Sequence, residues 1–533
     1  MSGSCHYHLS QSLTKRRFRY VFCQLEYVRH CSPENIQRAL DALPDTLDET
    51  YARTLEDIGD QNWERAHRLF QCVYVAARPL HVEELADILA FDFEVESTPT
   101  FRSERRSEDP VHAVLSTCSS LLAVVDVDGS RVVQFAHFSV KEYLTSARLA
   151  KAKDTITRFH LSMTPAHTII AQACLGILLH LDENITKNSL KDFPLAEYAA
   201  KHWADHARIE NVSSKMQDGL KCLFDPRKCH LSVWAWMHDS PRPRDRRERS
   251  HPLGVPRATP LHYAALCNMS DIATFLIVER SQDINAQSTI WEETPLQVSS
   301  HLGHAEIVRV LLRHGADIEA RNNADRSPLD CAALAGHVGL VQVFLEHGAD
   351  VNAQDNLRCT PLYWASKVGQ LAVARILLSH GADVTAQCEN NQTPLYQAKD
   401  EEVARLLLEH GADPNALDID NRTPLHGASE RGNVGAAWVL LEHGADPNAR
   451  DAGNATPLHL ASGSQYTYYW GYLGLVWLLL QCSADIHARD DEGQTPFMRA
   501  KAKGRYEIMQ LLLDHGAEDP QGVMTMDGQG DVV

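Results

Sequence analysis

The apolar positions of this chain follow one rhythm up to about residue 240 and another after residue 255. In the first part they fall at helical spacing. FRYVFCQLEYVRHC (18–31) has that spacing, and PENIQRALDALPDTLDETYARTLEDI (33–58) predicts two amphipathic helices with Pro44 at a boundary. NWERAHRLFQCVYVAARPLHVEELADILAFD (62–92) predicts a helix, a turn at Arg78-Pro79 and a second helix; VHAVLSTCSS (111–120) supplies a third. LLAVVDVDGSRVVQFAH (121–137) alternates instead, which predicts two strands around Asp128-Gly129, and FSVKEYL (138–144) returns to helix. Three helices followed by a β-hairpin make a winged-helix arrangement.

Beyond residue 255 a longer period takes over. A Thr-Pro or Ser-Pro pair followed by an apolar residue recurs with prolines at Pro260, Pro295, Pro328, Pro361, Pro394, Pro424, Pro457 and Pro496. The separations are 35, 33, 33, 33, 30, 33 and 39 residues. Such a period means a solenoid, whose units bury their apolar faces only by stacking on one another. Thr or Ser caps a first helix, and Pro suits the first helical position because its missing N–H costs nothing there. Gly303, Gly336, Gly369, Gly432 and Gly504, nine residues after the capping residue, are expected to leave that helix left-handed. Leu-Leu pairs end a second helix, and Gly-Ala-Asp turns out into a hairpin loop. Two residues before Thr-Pro a positive φ is expected, cheap for Asn391, Asn421, Asn454 and Gly493; Arg358 and Glu292 at that place predict a less regular tip. The unit TPLHxA(A/S)xxGHxxxVxxLLxxGADxNAxD closely resembles the ankyrin repeat, from about residue 255 to 518.

Two units depart from the period. The one starting at Thr393 is three residues short and lacks the Gly turn, so its first helix must be clipped or its turn tightened, bending the stack locally. The one starting at Thr456 carries about six extra residues between its helices, among them Tyr466, Tyr468, Tyr469, Trp470 and Tyr472. Exposed aromatics anchor binding hot spots. The equal alternative is a plug folded back on neighbouring helices, since so many rings are costly to leave in water.

At 533 residues the chain is too long for one core. A formal net charge of −19 argues against nucleic acid or an anionic membrane as partner. Thirteen scattered cysteines without CxxC, and no apolar leader at the N-terminus, are expected of reduced thiols in a cytoplasmic or nuclear protein. The longest apolar stretch, Thr168 to Leu181, is interrupted by Gln172 and too short to span a bilayer.

The phrases LPDTLDETYARTL, ARPLHVEELADILA, VLSTCSSLL and FAHFSVKEYL resemble the region that follows the nucleotide-binding module of fungal NACHT proteins, which are NLR-like receptors. FPLAEYAAKHWADHA (193–207) fits the helical spacer that often precedes their ankyrin arrays. Similar winged-helix segments are also named after GPI inositol-deacylases, a label that implies no catalytic residue here. In the NACHT family a P-loop NTPase precedes this region. This sequence contains no GxxxxGK[ST], so no NTPase activity is carried over.

Other chemistry finds little support. The helix at 111–120 has no Lys or Arg, which disfavours DNA reading, and the basic run PRPRDRRERS (241–250) reads as a solvated linker. His262, His426 and His459 in TPLH, with His314, His347, His380, His410 and His443 before Gly-Ala, recur at structural positions. Cys222, Cys229 and His230 match no zinc spacing. No GxSxG elbow or protease-like Cys is present. No catalytic, cofactor or metal residue is assigned.

The expected architecture is mainly α. Residues 1–17 and 519–533 are expected to be disordered. A helical and winged-helix domain spans 18–150, a helical spacer 151–240, a Pro/Arg-rich linker 241–254 and an ankyrin-repeat solenoid of about eight units 255–518. The expected function is non-catalytic binding of a protein partner through the array. Arg326, Arg358, Trp364, Tyr396, Arg422 and Glu430 are candidate contacts, with Tyr466, Tyr468, Tyr469, Trp470 and Tyr472 as a possible anchor. The alternatives are the C-terminal part of a nucleotide-switched NACHT receptor, or an adaptor that delivers array-bound clients to an enzyme.

Overall fold

The computed structural model describes residues 46–93, 98–116, 118–152, 155–186, 188–238, 257–289, 291–463 and 469–519. The helices expected before residue 46, the Pro/Arg-rich linker and all but Asp519 of the tail lie outside the described residues. The chain forms two compact units, one of residues up to Pro260 with Thr274–Gln282, the other of Leu261–Ala273 with Asp283 onward.

The first unit begins with helices Leu47–Glu56 and Gly59–Val75. Thr46 and Glu49 form a reciprocal capping box at the start of the first, satisfying two backbone donors that helix geometry leaves orphaned. Helices Val82–Leu89 and Pro110–Leu115 follow, the second capped by Asp109, whose carboxylate accepts the His112 N–H at 3.0 Å. The hairpin is formed by β4 (Leu122–Val127) and β5 (Ser130–Phe135), antiparallel with Val124 opposite Val133. Asp128 and Gly129 take φ of 51° and 79°, the paired positive values that a two-residue hairpin turn requires. The period did not reveal β1 (Leu80–His81), which joins the hairpin in the order β1-β5-β4. A two-residue strand shows no alternation to read. The same holds for β2 (Phe91–Asp92) paired with β3 (Thr100–Phe101). Leu69, Phe70, Leu85 and Ile88 are fully buried in the core of this winged helix.

The helical segment that follows packs around Met163–His180 and Leu195–Ala207, with Gln217–Phe224 and His230–His238 closing it. Met163–His180 is buried along most of its surface, which explains its apolar sequence: it is a core helix. No helix among the described residues is long and apolar enough to cross a membrane. Trp203 meets Trp234 edge to face at 5.6 Å. His206 bonds the Tyr198 hydroxyl through Nε2 and His167 through Nδ1, both at 2.8 Å, and burial pushes the His206 pKa down to about 3.

In the second unit the repeat predicts its own anatomy. Thr294, Ser327 and Thr360 cap the first helices Pro295–Leu302, Pro328–Ala335 and Pro361–Val368. Gly303, Gly336, Gly369, Gly432 and Gly504 all have φ between 66° and 86°. Second helices such as Ala305–Arg313, Val338–Glu346 and Leu371–Ser379 bury their Val and Leu faces. His314, His347, His380, His410 and His443 close these helices, each with Nδ1 2.8 or 2.9 Å from the carbonyl four residues back. Such imidazoles do the work of a C-terminal cap.

The short unit is clipped as expected. Residues 394–397 make a single turn, with Tyr396 N–H on the Thr393 carbonyl at 3.1 Å. Asp400 then caps Glu401–Glu409 directly. The long unit resolves its insertion differently. After Pro457–Gly463, the second helix runs Tyr469–Gln481, 13 residues where its counterparts have nine.

Candidate protein-binding surface

The candidate surface is the row of hairpin tips, most of which are built by one aspartate. The Asp355 carboxylate accepts the backbone N–H groups of Leu357 (3.0 Å) and Cys359 (2.9 Å). Asp418, Asp451 and Asp490 repeat the arrangement on their own tips, and Asn322 does so with its amide oxygen. This local bonding is what Asp and Asn do in turns. The turn passes through a positive-φ residue in these tips and in the tip of Cys388: Asp325 (56°), Arg358 (58°), Asn391 (57°), Asn421 (56°) and Asn454 (56°). Arg358 and Glu292 (51°) therefore adopt the same conformation as the asparagines, and the expected irregularity at those tips is corrected. The tip bonds outweigh the cost of a Cβ at positive φ, which is about 1 kcal/mol.

Each tip is pinned to the next by one backbone hydrogen bond. Asn323 N–H meets Trp291 O (3.0 Å), Asn356 meets Ala324 (3.1 Å), Glu389 meets Leu357 (2.7 Å), Ile419 meets Asn390 (3.0 Å), Ala452 meets Asp420 (2.8 Å) and Asp491 meets Gly453 (3.0 Å). The tips thus form a row in fixed register.

The sequence-derived contacts divide under this geometry. Arg358 is exposed at its tip, and Glu430 is exposed beside half-buried Arg422, 3.8 Å apart. Arg326 is half-buried, with its guanidinium 4.4 Å over the Trp364 ring and its Nε 3.6 Å from Asp355. Trp364, Tyr396 and Tyr472 are 8%, 4% and 4% exposed. Their side chains are packed inside the stack. Tyr472 reaches the Glu430 carbonyl with its hydroxyl at 2.8 Å, and its ring covers Gly432 so closely that an added Cβ there would lie 2.9 Å away. Tyr466 and Tyr468 lie outside the described residues, as do the side chains of Tyr469 and Trp470.

Sequence reasoning missed the apolar groups that do face water at the tips. Trp291 (62% exposed), Leu357 and Ile419 stand where other units carry Asn, Asp, Glu, Gly or Ala, and Leu417 stands where they carry Arg or Gln. An apolar residue among turn formers was the available signal. On the second helices, Trp438 and Trp477 are also about half exposed, at a position filled elsewhere by Arg309, Gln342, Arg375, Arg405 and Gln510. Trp477, Leu473, Tyr506 and Leu511 line a groove of about 730 Å³.

The TPLH histidines are buried in the stack. His426 accepts from the Thr423 N–H at Nδ1 (3.1 Å), and its Nε2 donates to the Ala455 carbonyl of the next unit (3.1 Å). His459 does the same between Thr456 and Gln494. Burial holds the pKa of His262, His426 and His459 below the ordinary range. In the first unit, Cys222 Sγ receives Lys228 Nζ and His230 faces the Leu181 carbonyl. Among the described residues no group of three or more His, Cys, Asp or Glu is placed to hold a metal ion.

Comparison with known proteins agrees with both halves. Ankyrin-repeat profiles match residues 261–355, 351–418, 407–461, 453–491 and 492–521. The profile of the GPI inositol-deacylase winged helix domain matches residues 53–154. The chain therefore carries a winged-helix domain near its N-terminus and ankyrin repeats in its C-terminal half. It is 31% identical over 296 residues to the azaphilone pigments biosynthesis cluster protein L of Monascus ruber, covering 52% of this chain and 61% of that one. It is 25% identical over 220 residues to the vegetative incompatibility protein HET-E-1 of Podospora anserina, covering 37% of this chain and 15% of that one. The chain thus spans less than two thirds of the length of either relative.

Proposed function

We propose that the chain is a non-catalytic interaction scaffold of NLR-like type, which binds a protein partner along its row of hairpin tips. The observation that carries this reading is the placement of Trp291, Leu357 and Ile419 in water on tips locked in register. A fixed row of turns offers recognition at little conformational cost, and aromatic or aliphatic groups set among polar tips supply anchors. Arg358, Glu430 and the acidic tip residues would give the rim its charge pattern. The winged helix would act as a packing module without nucleic acid, as the acidic residues around Asp109 and the net charge favour. The likeness to HET-E-1 supports a role as the sensing part of a larger nucleotide-switched receptor, with the NTPase supplied outside this sequence.

The test is proximity labelling in cells expressing the full chain or its W291A/L357A/I419A variant. The reading expects a set of labelled proteins that the triple variant loses at least tenfold while its melting temperature stays within a few degrees. An unchanged set with the triple variant would refute binding through the tips.

A further inference from the structure

Between neighbouring tips runs a second set of contacts, made by side chains. At four junctions the residue just before Ser/Thr-Pro reaches the tip-building residue of the next unit. Glu293 bonds Asn322 in this way. Arg326 reaches Asp355 at 3.6 Å, Gln392 reaches Asp418 at 3.4 Å and Arg422 reaches Asp451 at 3.6 Å. In the middle of this ladder the polar rung is replaced by two thiols. Cys359 stands at the arginine position and Cys388 at the aspartate position, and the two share one small buried cluster with Tyr363 and Trp364.

We propose that Cys359 and Cys388 form a modification site, a thiol pair that closes to a disulfide across adjacent repeats when it meets a small disulfide oxidant such as oxidised glutathione. The backbone brings the two together independently of the thiols. The residue after Cys388, Glu389, donates to Leu357, two residues before Cys359, at 2.7 Å. Cys388 N–H closes its own tip on Gln392 O, and Cys359 O accepts from Asp355 N–H, both at 3.0 Å. Tyr363, whose hydroxyl donates to Gln392 Oε1 at 3.4 Å, and Trp364 complete the cluster around the pair. Both cysteines are free and buried, at 3% and 4% exposure, yet Cys359 directly follows the exposed Leu357 and Arg358 at the tip.

The chemistry is two thiol–disulfide exchanges. Cys359 loses its thiol proton to solvent, and the thiolate attacks one sulfur of oxidised glutathione, breaking the S–S bond and releasing one glutathione thiolate that takes up a proton. Cys388, deprotonated in turn, attacks the Cys359 sulfur of the mixed disulfide and expels the second glutathione. Two protein thiols are oxidised by two electrons, and one glutathione disulfide is reduced to two thiols. Burial, followed by the charge of Asp355, pushes the Cys359 pKa up to about 12. Exchange at neutral pH is therefore slow and needs the tip to open. The pair is suited to recording sustained oxidation, and once closed it is shielded by Tyr363 and Trp364. The bond would span one whole repeat and fix the Leu357–Arg358 tip to its neighbour. The site stands whether or not the tips bind a partner.

The test is to incubate the reduced full chain with oxidised glutathione at mildly alkaline pH and read the intact mass and a non-reducing peptide map. The expected result is loss of two hydrogens, a Cys359–Cys388 linked peptide and a melting temperature raised by roughly 5 °C. Cys359→Ser and Cys388→Ser should each abolish the link. A C359R/C388D double variant, which rebuilds the polar rung of the other units, should fold and remain unlinked if the single variants are unstable. A mixed disulfide that persists at either cysteine, a link to another cysteine, or unmodified thiols under conditions that oxidise the urea-unfolded chain would each overturn the proposal.

Discussion

Trp364 donates its indole N–H to the Asp355 carboxylate at 3.0 Å, inside the tip that the same carboxylate builds. Arg499 occupies the equivalent place in the last unit and reaches Asp490 at 2.8 Å. One residue four positions into the first helix therefore locks helix to hairpin. Trp364→Phe should cost about 1 kcal/mol through the lost hydrogen bond, and Trp364→Ala about 3–4 kcal/mol through the added cavity. Urea denaturation of the array checks both, and equal small losses would show the indole to be peripheral.

The buried histidines give the array an acid limit. Their folded pKa values lie below the unfolded value of about 6.5, so the unfolded chain takes up protons first as pH falls. Stability from His262, His426 and His459 is present above that pH and is lost as pH falls below it. The denaturation midpoint should drop between pH 7 and 5. H426Q/H459Q, which puts at both sites the residue found at Gln297, should flatten that drop.

Asp330 works with the opposite sign. Fully buried, it accepts from the Ser327 N–H and hydroxyl at 2.8 Å through one oxygen, while the other has no hydrogen-bond partner. Burial raises its pKa to about 7. Its contribution is present below the unfolded carboxylate value of about 4 and is lost as pH rises toward 7. Asp330→Asn should stabilise the array by about 1–3 kcal/mol at pH 8 and little at pH 4. Chemical denaturation at the two pH values decides it.

Arg358 bears a Cβ in the left-handed region, where asparagine sits in three other tips. Arg358→Asn should raise stability by about 0.5–1 kcal/mol. If the proposed surface is right, the same change should weaken partner capture, so that stability and binding move in opposite directions.

Tyr472 joins the lengthened helix to Gly432 and to the Glu430 carbonyl. Tyr472→Phe should cost about 1 kcal/mol and Tyr472→Ala about 3–4 kcal/mol. Thermal melts report the difference. A neutral Tyr472→Ala would return this ring to the exposed, partner-facing alternative.

The period of Pro260 to Pro496 made the array legible, because each position in the unit has one local duty: Thr423 caps, Gly432 turns and His443 closes. The winged helix was legible where helices and the Asp128-Gly129 hairpin have length enough to show a period. What stayed hidden depends on neighbours rather than on local propensity. Glu292 and Arg358 were read as poor turn formers, yet hydrogen bonds from the tip impose the turn. Trp364, Tyr396 and Tyr472 are polar-edged aromatics, and sequence spacing cannot say whether a neighbouring unit covers them. Trp291, Leu357 and Ile419 were legible only by comparison between units, as apolar residues in turn positions.

The row of tip-to-tip hydrogen bonds has a mechanical consequence. A pull along the stack loads those bonds in series, so the array yields at its weakest junction rather than everywhere together. The clipped unit at Thr393 has one turn where its neighbours have a whole helix, and its junctions rest on contacts such as Asn433 to the Lys399 carbonyl at 2.7 Å. Under tension the array should part there first, at one of the clipped unit's two junctions, leaving segments of four and four or of five and three repeats that each keep their own spring constant.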